Sequence, residues 1–371
     1  MNTSRIIAAT LIGICLIFAI GCQEAHDEEL REAVRSGDCP GYVTYSLEFG
    51  REEWSCFGWA DVEASRQMDI DTVFRICSMT KSFVGALAAV LADRGTIDLD
   101  DPISRTFPEF RDEKKEITLR QCLSMSAGFA EMSPSMQSKG TNAQNPADVA
   151  SEMAGLPLLS PPGTQYRYSN ASFEIAAAVI ERLTGRKLEA LLEDVFFKPL
   201  EMSDTTFHPT QEMLTRLAVL YRMKDFGGCC RASDQLQVSA ENLGKFTSAS
   251  GGLFSTPYDM MKFYQMLIGG GKTEAGLQVM TKGAISLIAT KQTPPAVSKR
   301  YSLGFFLGDE WLGHGGAYGT IAECDLANFR IRMIFTQICG KPVRPFLRLW
   351  RQTTNETFGE ESWGDNNQFD D

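Results

Sequence analysis

The sequence predicts an α/β fold of the α+β type: an antiparallel β-sheet flanked by helices, with a mostly helical subdomain inserted between the chain ends that build the sheet. Three observations carry that expectation. Apolar-rich runs bounded by turn residues mark strands toward both ends of the chain. Apolar residues at helical spacing mark the middle. The composition, 43% hydrophobic over 371 residues with 32 Gly and 15 Pro, is that of a soluble protein with enough chain to bury a sizeable core.

The first residues stand apart from that fold. Arg5 follows a short polar start, Ile6 to Ile20 is almost wholly apolar, and the run closes on Ala19-Ile20-Gly21-Cys22. A basic start, an apolar stretch and small residues at a cut point describe a secretory signal over residues 1–21. The stretch is short for a spanning helix and soon meets Gln23, Glu24 and Asp27. A small residue directly before a cysteine resembles a bacterial lipobox. That implies lipidation of Cys22 and an exported lipoprotein, held through an N-terminal anchor in the periplasm or at the outer membrane of the cell envelope. Plain secretion is the next alternative, and an uncleaved anchor the third.

Elements follow in order. Glu28 to Ser36 reads as a short charged helix. Gly41 to Glu48 and Glu53 to Ala60 read as a hairpin turning at Gly50-Arg51-Glu52. Residues 78–94 form the clearest helix, stopped by Gly95. Ile117 to Ser126 is a short helix, and Glu131 to Pro162 is rich in Ser, Asn, Gly and Pro. Ala171 to Thr184 and Leu188 to Phe197 are periodic helices, separated by Gly185 and ended before Pro199. Pro257 to Ile268 is another, begun by Ser255-Thr256-Pro257. Strands return at Tyr301 to Gly308, Thr320 to Asp325 and Phe329 to Gln337, and Pro345 to Thr353 reads as a closing helix. One domain over 22–350 results, with its sheet region at 38–100 and 205–350 and its helical region at 101–204. An acidic tail over 351–371 carries Glu360, Glu361, Asp365, Asp370 and Asp371 without apolar periodicity and reads as a solvated end. No internal repeat is visible.

A net charge of −11 argues against an electrostatic grip on nucleic acid, so no nucleic-acid partner is expected. Cys15 and Cys22 of the ten cysteines belong to the leader, leaving Cys39, Cys56, Cys77, Cys122, Cys229, Cys230, Cys324 and Cys339. An exported chain can oxidise an even set, yet most of these stand singly among apolar residues, as buried small hydrophobes do. Cys229-Cys230 has no His, Asp or Glu at ligand spacing and reads as a structural loop. No metal and no other cofactor is expected.

The chemistry starts at Ser78. From Met79 to Ala92 the only charged residue is Lys81, and a helix apolar nearly all round is a buried one. Burial drives a lysine toward its neutral, basic form. Ser78 and Lys81, three apart, share one face of the first turn, and a helix starting at Ser78 would direct its amides at the serine oxygen. Serine, neighbouring base and positive helix end make an activated nucleophile; a capping serine beside a snorkelling lysine is the plain alternative. Tyr166-Arg167-Tyr168-Ser169-Asn170 stands at a helix start with a hydroxyl able to relay protons and an amide able to donate and accept. Alone it is a helix-start loop capped by Asn170. Gly313-His314-Gly315-Gly316-Ala317 lets backbone approach a ligand closely, and alone it is a turn.

Together, Ser78-Met79-Thr80-Lys81, Tyr168-Ser169-Asn170 and His314-Gly315-Gly316 resemble, in order, the S-x-x-K, Y-x-N and K-T-G or H-x-G motifs of the serine β-lactamase-related family. That group includes class C β-lactamases, D-alanyl-D-alanine carboxypeptidases and related esterases and peptidases. Intervening runs are similar too, among them Ser126-Ala127-Gly128, Pro162-Gly163-Thr164 and Gly251-Gly252-Leu253-Phe254-Ser255-Thr256, and the resemblance spans roughly residues 42–337. It implies a β-lactamase and penicillin-binding-protein-like fold with a cleft between the sheet and helical regions. It further implies an acyl-enzyme on Ser78, with Lys81 and Tyr168 sharing acid and base work. Asn170 would orient substrate or Lys81. His314, Gly315, Gly316 and Ala317 would line the substrate, and amides of Ser78 and Ala317 would form the oxyanion hole. The expected partner is a small-molecule or peptide-like acyl substrate. His314 departs from the lysine of the β-lactamase pattern and is neutral in much of the population near pH 7, which weakens the case for β-lactams and carboxylate-ended peptides.

Competing readings are poorer. A Ser-His-Asp hydrolase lacks a G-x-S-x-G elbow and has only His26, His208 and His314 to draw on. A phosphate loop at Gly271-Lys272-Thr273 fails because Met266 occupies the first glycine position. An inactive binding module on the same fold has no chemical reason to keep Ser78, Lys81 and Tyr168 together.

Overall fold

The computed structural model describes residues 28–137, 145–224, 228–233 and 246–339. The leader with Cys22, the closing helix at 345–353 and the acidic tail lie outside the described residues. Among the described residues, no helix is long and apolar enough to cross a membrane.

Both chain ends build one antiparallel sheet. The strands are β1 Gly41–Glu48, β2 Arg51–Asp61, β3 Arg66–Gln67, β4 Phe306–Leu307, β5 Leu312–Gly316, β6 Thr320–Asp325 and β7 Arg330–Phe335, in the spatial order β3-β2-β1-β7-β6-β5-β4. The hairpin is tighter than the sequence suggests. Glu48 pairs with Arg51, so the turn is Phe49-Gly50 alone, both at positive φ (52° and 77°). A two-residue turn of that kind matches the twist of the strands, so Arg51 and Glu52 join β2.

Both faces of the sheet are covered, which is why its strands are apolar on alternate residues of either parity. Val43, Tyr45, Ala322, Met333 and Phe335 join the main core. Tyr42, Ile321 and Ile334 pack instead with Leu30 of the helix at residues 28–35. On the main-core face, helix Pro257–Ile268 is tied to the sheet by Tyr264, whose hydroxyl donates to the Ala322 carbonyl (3.0 Å), and by Gln265, which donates to the Tyr45 hydroxyl (3.0 Å). Its predicted bounds agree with those observed because Thr256 caps it by accepting from the Asp259 amide and Pro257 starts it. The central helix Thr80–Asp93 lies behind, buried from Thr80 to Leu91.

Several expectations need correction. The strand expected from Tyr301 to Gly308 shrinks to Phe306–Leu307, with an isolated bridge between Tyr301 and Phe306. The glycine run around His314 is not a turn but strand β5. Cys229-Cys230 is no loop: Cys229–Arg231 pairs with Tyr221–Met223, which in turn pairs with Ile338–Cys339. All eight cysteines outside the leader are free thiols. The short helix expected over Ile117 to Ser126 is Leu119–Leu123, with Thr118 and Gln121 forming a capping box. Within the Ser-, Asn- and Pro-rich stretch lies an unanticipated helix, Pro146–Gly155. Asn145 and Asp148 form its capping box and Pro146 occupies its first turn.

Candidate active site

Ser78 sits on a single 3₁₀ turn, Cys77–Met79, and the α-helix begins only at Thr80, two residues later than a helix started at Ser78. Cys77 enters that turn at φ 46°, a left-handed conformation costing a non-glycine residue about 1–3 kcal/mol. Neighbours hold it there. The Ile76 amide donates to the Leu253 carbonyl (3.1 Å) and the Met79 amide donates back to the Ile76 carbonyl (3.1 Å). Burial pushes the Cys77 thiol up, while Arg75, Lys81 and the amides of Tyr318 and Ala317 pull it back.

The structure brings Ser78, Lys81, Tyr168 and Asn170 into direct contact. Lys81 Nζ donates to Ser78 Oγ (3.1 Å), Asn170 Oδ1 (2.7 Å) and the Ser250 carbonyl (2.6 Å), which uses all three protons of an ammonium. The Tyr168 hydroxyl donates to Ser78 Oγ at 2.9 Å. Lys81 Nζ also lies 4.8 Å from the Tyr168 ring centroid and 5.7 Å from that of Phe173. The side chain is fully buried. Burial lowers its pKa to about 7, against the opposing pull of Glu174, Cys77 and Glu131, so amine and ammonium coexist near neutrality. Burial pushes the Tyr168 phenol above its ordinary range, so it is a proton donor at rest.

Tyr168 and Asn170 are placed by the start of helix Asn170–Thr184. Its cap is Ser169 rather than Asn170: Ser169 Oγ accepts from the Ser172 amide (3.0 Å) and donates to the Ala130 carbonyl (2.7 Å). With capping done by its neighbour, Asn170 is left to turn its Oδ1 to Lys81, while its Nδ2 donates to Glu131 Oε1 at 3.4 Å.

His314 is brought to the edge of this group but not into its hydrogen bonds with Ser78. Its ring is 6.4 Å from that of Tyr168 and 5.0 Å from that of Phe306, centroid to centroid. Nδ1 lies 2.8 Å from the Gly315 carbonyl, which only accepts, so Nδ1 carries the proton and Nε2 accepts from the Tyr301 hydroxyl at 3.2 Å. Burial, then the charge of Lys81, holds its pKa well below 6.5, so the ring is neutral. Gly315 and Gly316 pair with Ile321 and Thr320. A Cβ on Gly316 would stand 2.4 Å from the Ile76 carbonyl, so the glycine lets β5 lie against the Ser78 turn. Ala317 follows at the exposed bend into β6.

Two features escaped the sequence. One is the segment 248–250, which supplies a carbonyl to Lys81. The other is Glu174, fully buried one turn after Asn170. Its signal was present: it is the only charge from Asn170 to Ile180, the same pattern that marked Lys81. Among the described residues, no group of three His, Cys, Asp or Glu side chains is placed to hold a metal ion.

Comparison with known proteins bears on the fold and the family. Protein Rv1367c of Mycobacterium tuberculosis is 27% identical over 340 residues, covering 83% of this chain and 80% of that one. Simvastatin synthase (LovD) from Aspergillus terreus superposes with a TM-score of 0.74 at 20% identity, over 92% of this chain and 99% of that one. D-amino acid amidase from Ochrobactrum anthropi, complexed with D-phenylalanine, does so with a TM-score of 0.71 at 22% identity, over 91% and 99%. The Beta-lactamase family model matches residues 26–344, most of the chain, and the chain therefore belongs to that family of serine hydrolases.

Proposed function

We propose that this protein is an acyl-transfer hydrolase in which Ser78 is the nucleophile, Lys81 its base and Tyr168 the acid for the leaving group, acting on neutral esters or amides. The observation that carries the reading is the convergence of Lys81 Nζ and the Tyr168 hydroxyl on one serine oxygen, at 3.1 and 2.9 Å. Neutral Lys81 takes the Ser78 proton as Oγ bonds to the substrate carbonyl carbon. Tyr168 gives its proton to the departing oxygen or nitrogen as that bond breaks, and the Lys81 ammonium reprotonates it. Water then attacks the acyl-Ser78 ester, Lys81 again taking the proton, and Ser78 leaves as the hydroxyl. The amides of Ser78 and Ala317 are assigned to the oxyanion, each such donor contributing roughly 3–4 kcal/mol. Asn170 holds Lys81, and His314, Gly315 and Gly316 wall the substrate.

Neutral, buried His314 supports a preference for substrates without a carboxylate at that wall, since the imidazole there carries no charge to receive one. This favours an ester or amide over a β-lactam or a D-Ala-D-Ala peptide. The similarity to an amidase and a synthase supports acyl transfer in general. The leader and Cys22 support a place in the cell envelope as a lipid-anchored enzyme. Assays with p-nitrophenyl esters of varied chain length, D-alanyl peptides and nitrocefin test the preference. Ester turnover at least tenfold above nitrocefin turnover is expected, and the reverse ranking refutes it.

A further inference from the structure

We infer that Glu174 is a positioning residue for Lys81, acting through the 248–250 segment rather than on the reacting atoms. Its carboxylate accepts four hydrogen bonds from three consecutive residues. Oε1 accepts from Ser248 Oγ (2.7 Å), Ser250 Oγ (2.7 Å) and the Ser250 amide (3.0 Å), and Oε2 accepts from the Ala249 amide (2.9 Å). Burial pushes the Glu174 carboxyl above its ordinary range, and these four donors, three on Oε1 and one on Oε2, pull it back toward the ionised form. They also hold Ser250 so that its amide faces Glu174 and its carbonyl faces Lys81 Nζ at 2.6 Å. The segment is held further on as well: the Gly252 amide donates to the Ser248 carbonyl (2.9 Å) and the Leu253 amide to Thr80 Oγ1 (3.1 Å). Glu174 shares helix Asn170–Thr184 with Asn170, so one rigid element places two of the three acceptors of Lys81.

The carboxylate has a second effect, through its charge. The titratable groups facing Lys81 are Cys77, Glu131, Tyr168, His314 and Glu174. Among them, Glu174 is the largest pull toward the ammonium form. Removing its charge therefore favours the amine to lower pH.

The inference rests on Lys81 being the base for Ser78, and the test separates the two. Glu174→Gln, Glu174→Asp and Ser78→Ala are compared with wild type by pH profiles of kcat and KM on p-nitrophenyl acetate, with Tm recorded for each. Glu174→Gln is expected to lower kcat roughly 10- to 100-fold with KM changed less than threefold, and to move the acid limb of kcat downward in pH. Glu174→Asp keeps the charge and so keeps the limb in place, with a smaller fall in kcat. A folded Glu174→Gln with the wild-type limb and kcat overturns the inference. If Glu174→Gln does not fold, Glu174→Asp decides: a lower kcat on an unmoved limb supports positioning, and wild-type kcat overturns it. Activity surviving in Ser78→Ala overturns the functional reading itself, and this inference with it.

Discussion

Lys81 and His314 are two buried basic side chains at one site, and burial pushes both toward neutrality, yet they end in different states. Lys81 has three acceptors and feels Glu174 and Glu131, which return its pKa to about 7. His314 meets the Gly315 carbonyl and the Tyr301 hydroxyl, has the charge of Lys81 nearby and no carboxylate among the influences on its pKa, and stays well below 6.5. Burial alone thus does not make a working base. The surroundings must also restore enough of the charged form for a proton to be both taken and given at neutral pH.

The comparison can be broken in four ways. The largest effect is expected from Lys81→Met, which should cut kcat/KM by roughly 10³- to 10⁴-fold on an ester substrate. Residual turnover within tenfold of wild type would move the base elsewhere. Tyr168→Phe keeps the ring beside Lys81 but removes the acid, so a fall of roughly 100-fold is expected, least for substrates with good leaving groups such as p-nitrophenolate. Stability carries a third signature. Between about pH 7 and the ordinary lysine value of 10.5 the unfolded chain holds a proton on this lysine that the folded chain has released. The depressed pKa therefore destabilises the fold fully below about pH 7, and the penalty fades as pH rises toward 10.5. Chemical denaturation of wild type against Lys81→Met from pH 6 to 9.5 should show the difference moving in favour of wild type with rising pH; a flat difference would mean Lys81 titrates normally. The smallest effect belongs to His314→Asn. Activity should fall only several-fold, and the acid limb of kcat/KM should stay near pH 7, whereas loss of the limb would make the imidazole the titrating base.

How far the sequence reveals this molecule depends on where each element draws its support. Helix Pro257–Ile268 and strand Thr320–Asp325 are legible to the residue, because Thr256-Pro257 and the apolar run around Ile321 are local signals. Strand β5 is not, since glycine disfavours strands; the reason for glycine is distant, a Cβ at Gly313 meeting the Ala322 carbonyl at 2.3 Å. Tyr301 to Gly308 errs the other way: its residues suit a strand, but most of them pack in the main core around His314 and the central helix instead of pairing. Ser78, Lys81, Tyr168 and Asn170 were legible as types and as a family-like pattern, and the structure adds their mutual distances. Glu174 was missed because its partners lie 74 to 76 residues further along the chain. A lone charge in an apolar helix marks Lys81 and Glu174 alike, and the physics is the same in both.

The central claim is that Ser78 is the nucleophile. The most direct measurement is intact-mass and peptide-mapping mass spectrometry of the protein after reaction with a fluorophosphonate, in wild type and in Ser78→Ala. The expected result is one adduct per chain, mapped to Ser78, absent from the variant at unchanged Tm, with ester hydrolysis lost in parallel. An adduct on another residue, or hydrolysis retained in folded Ser78→Ala, would contradict the account.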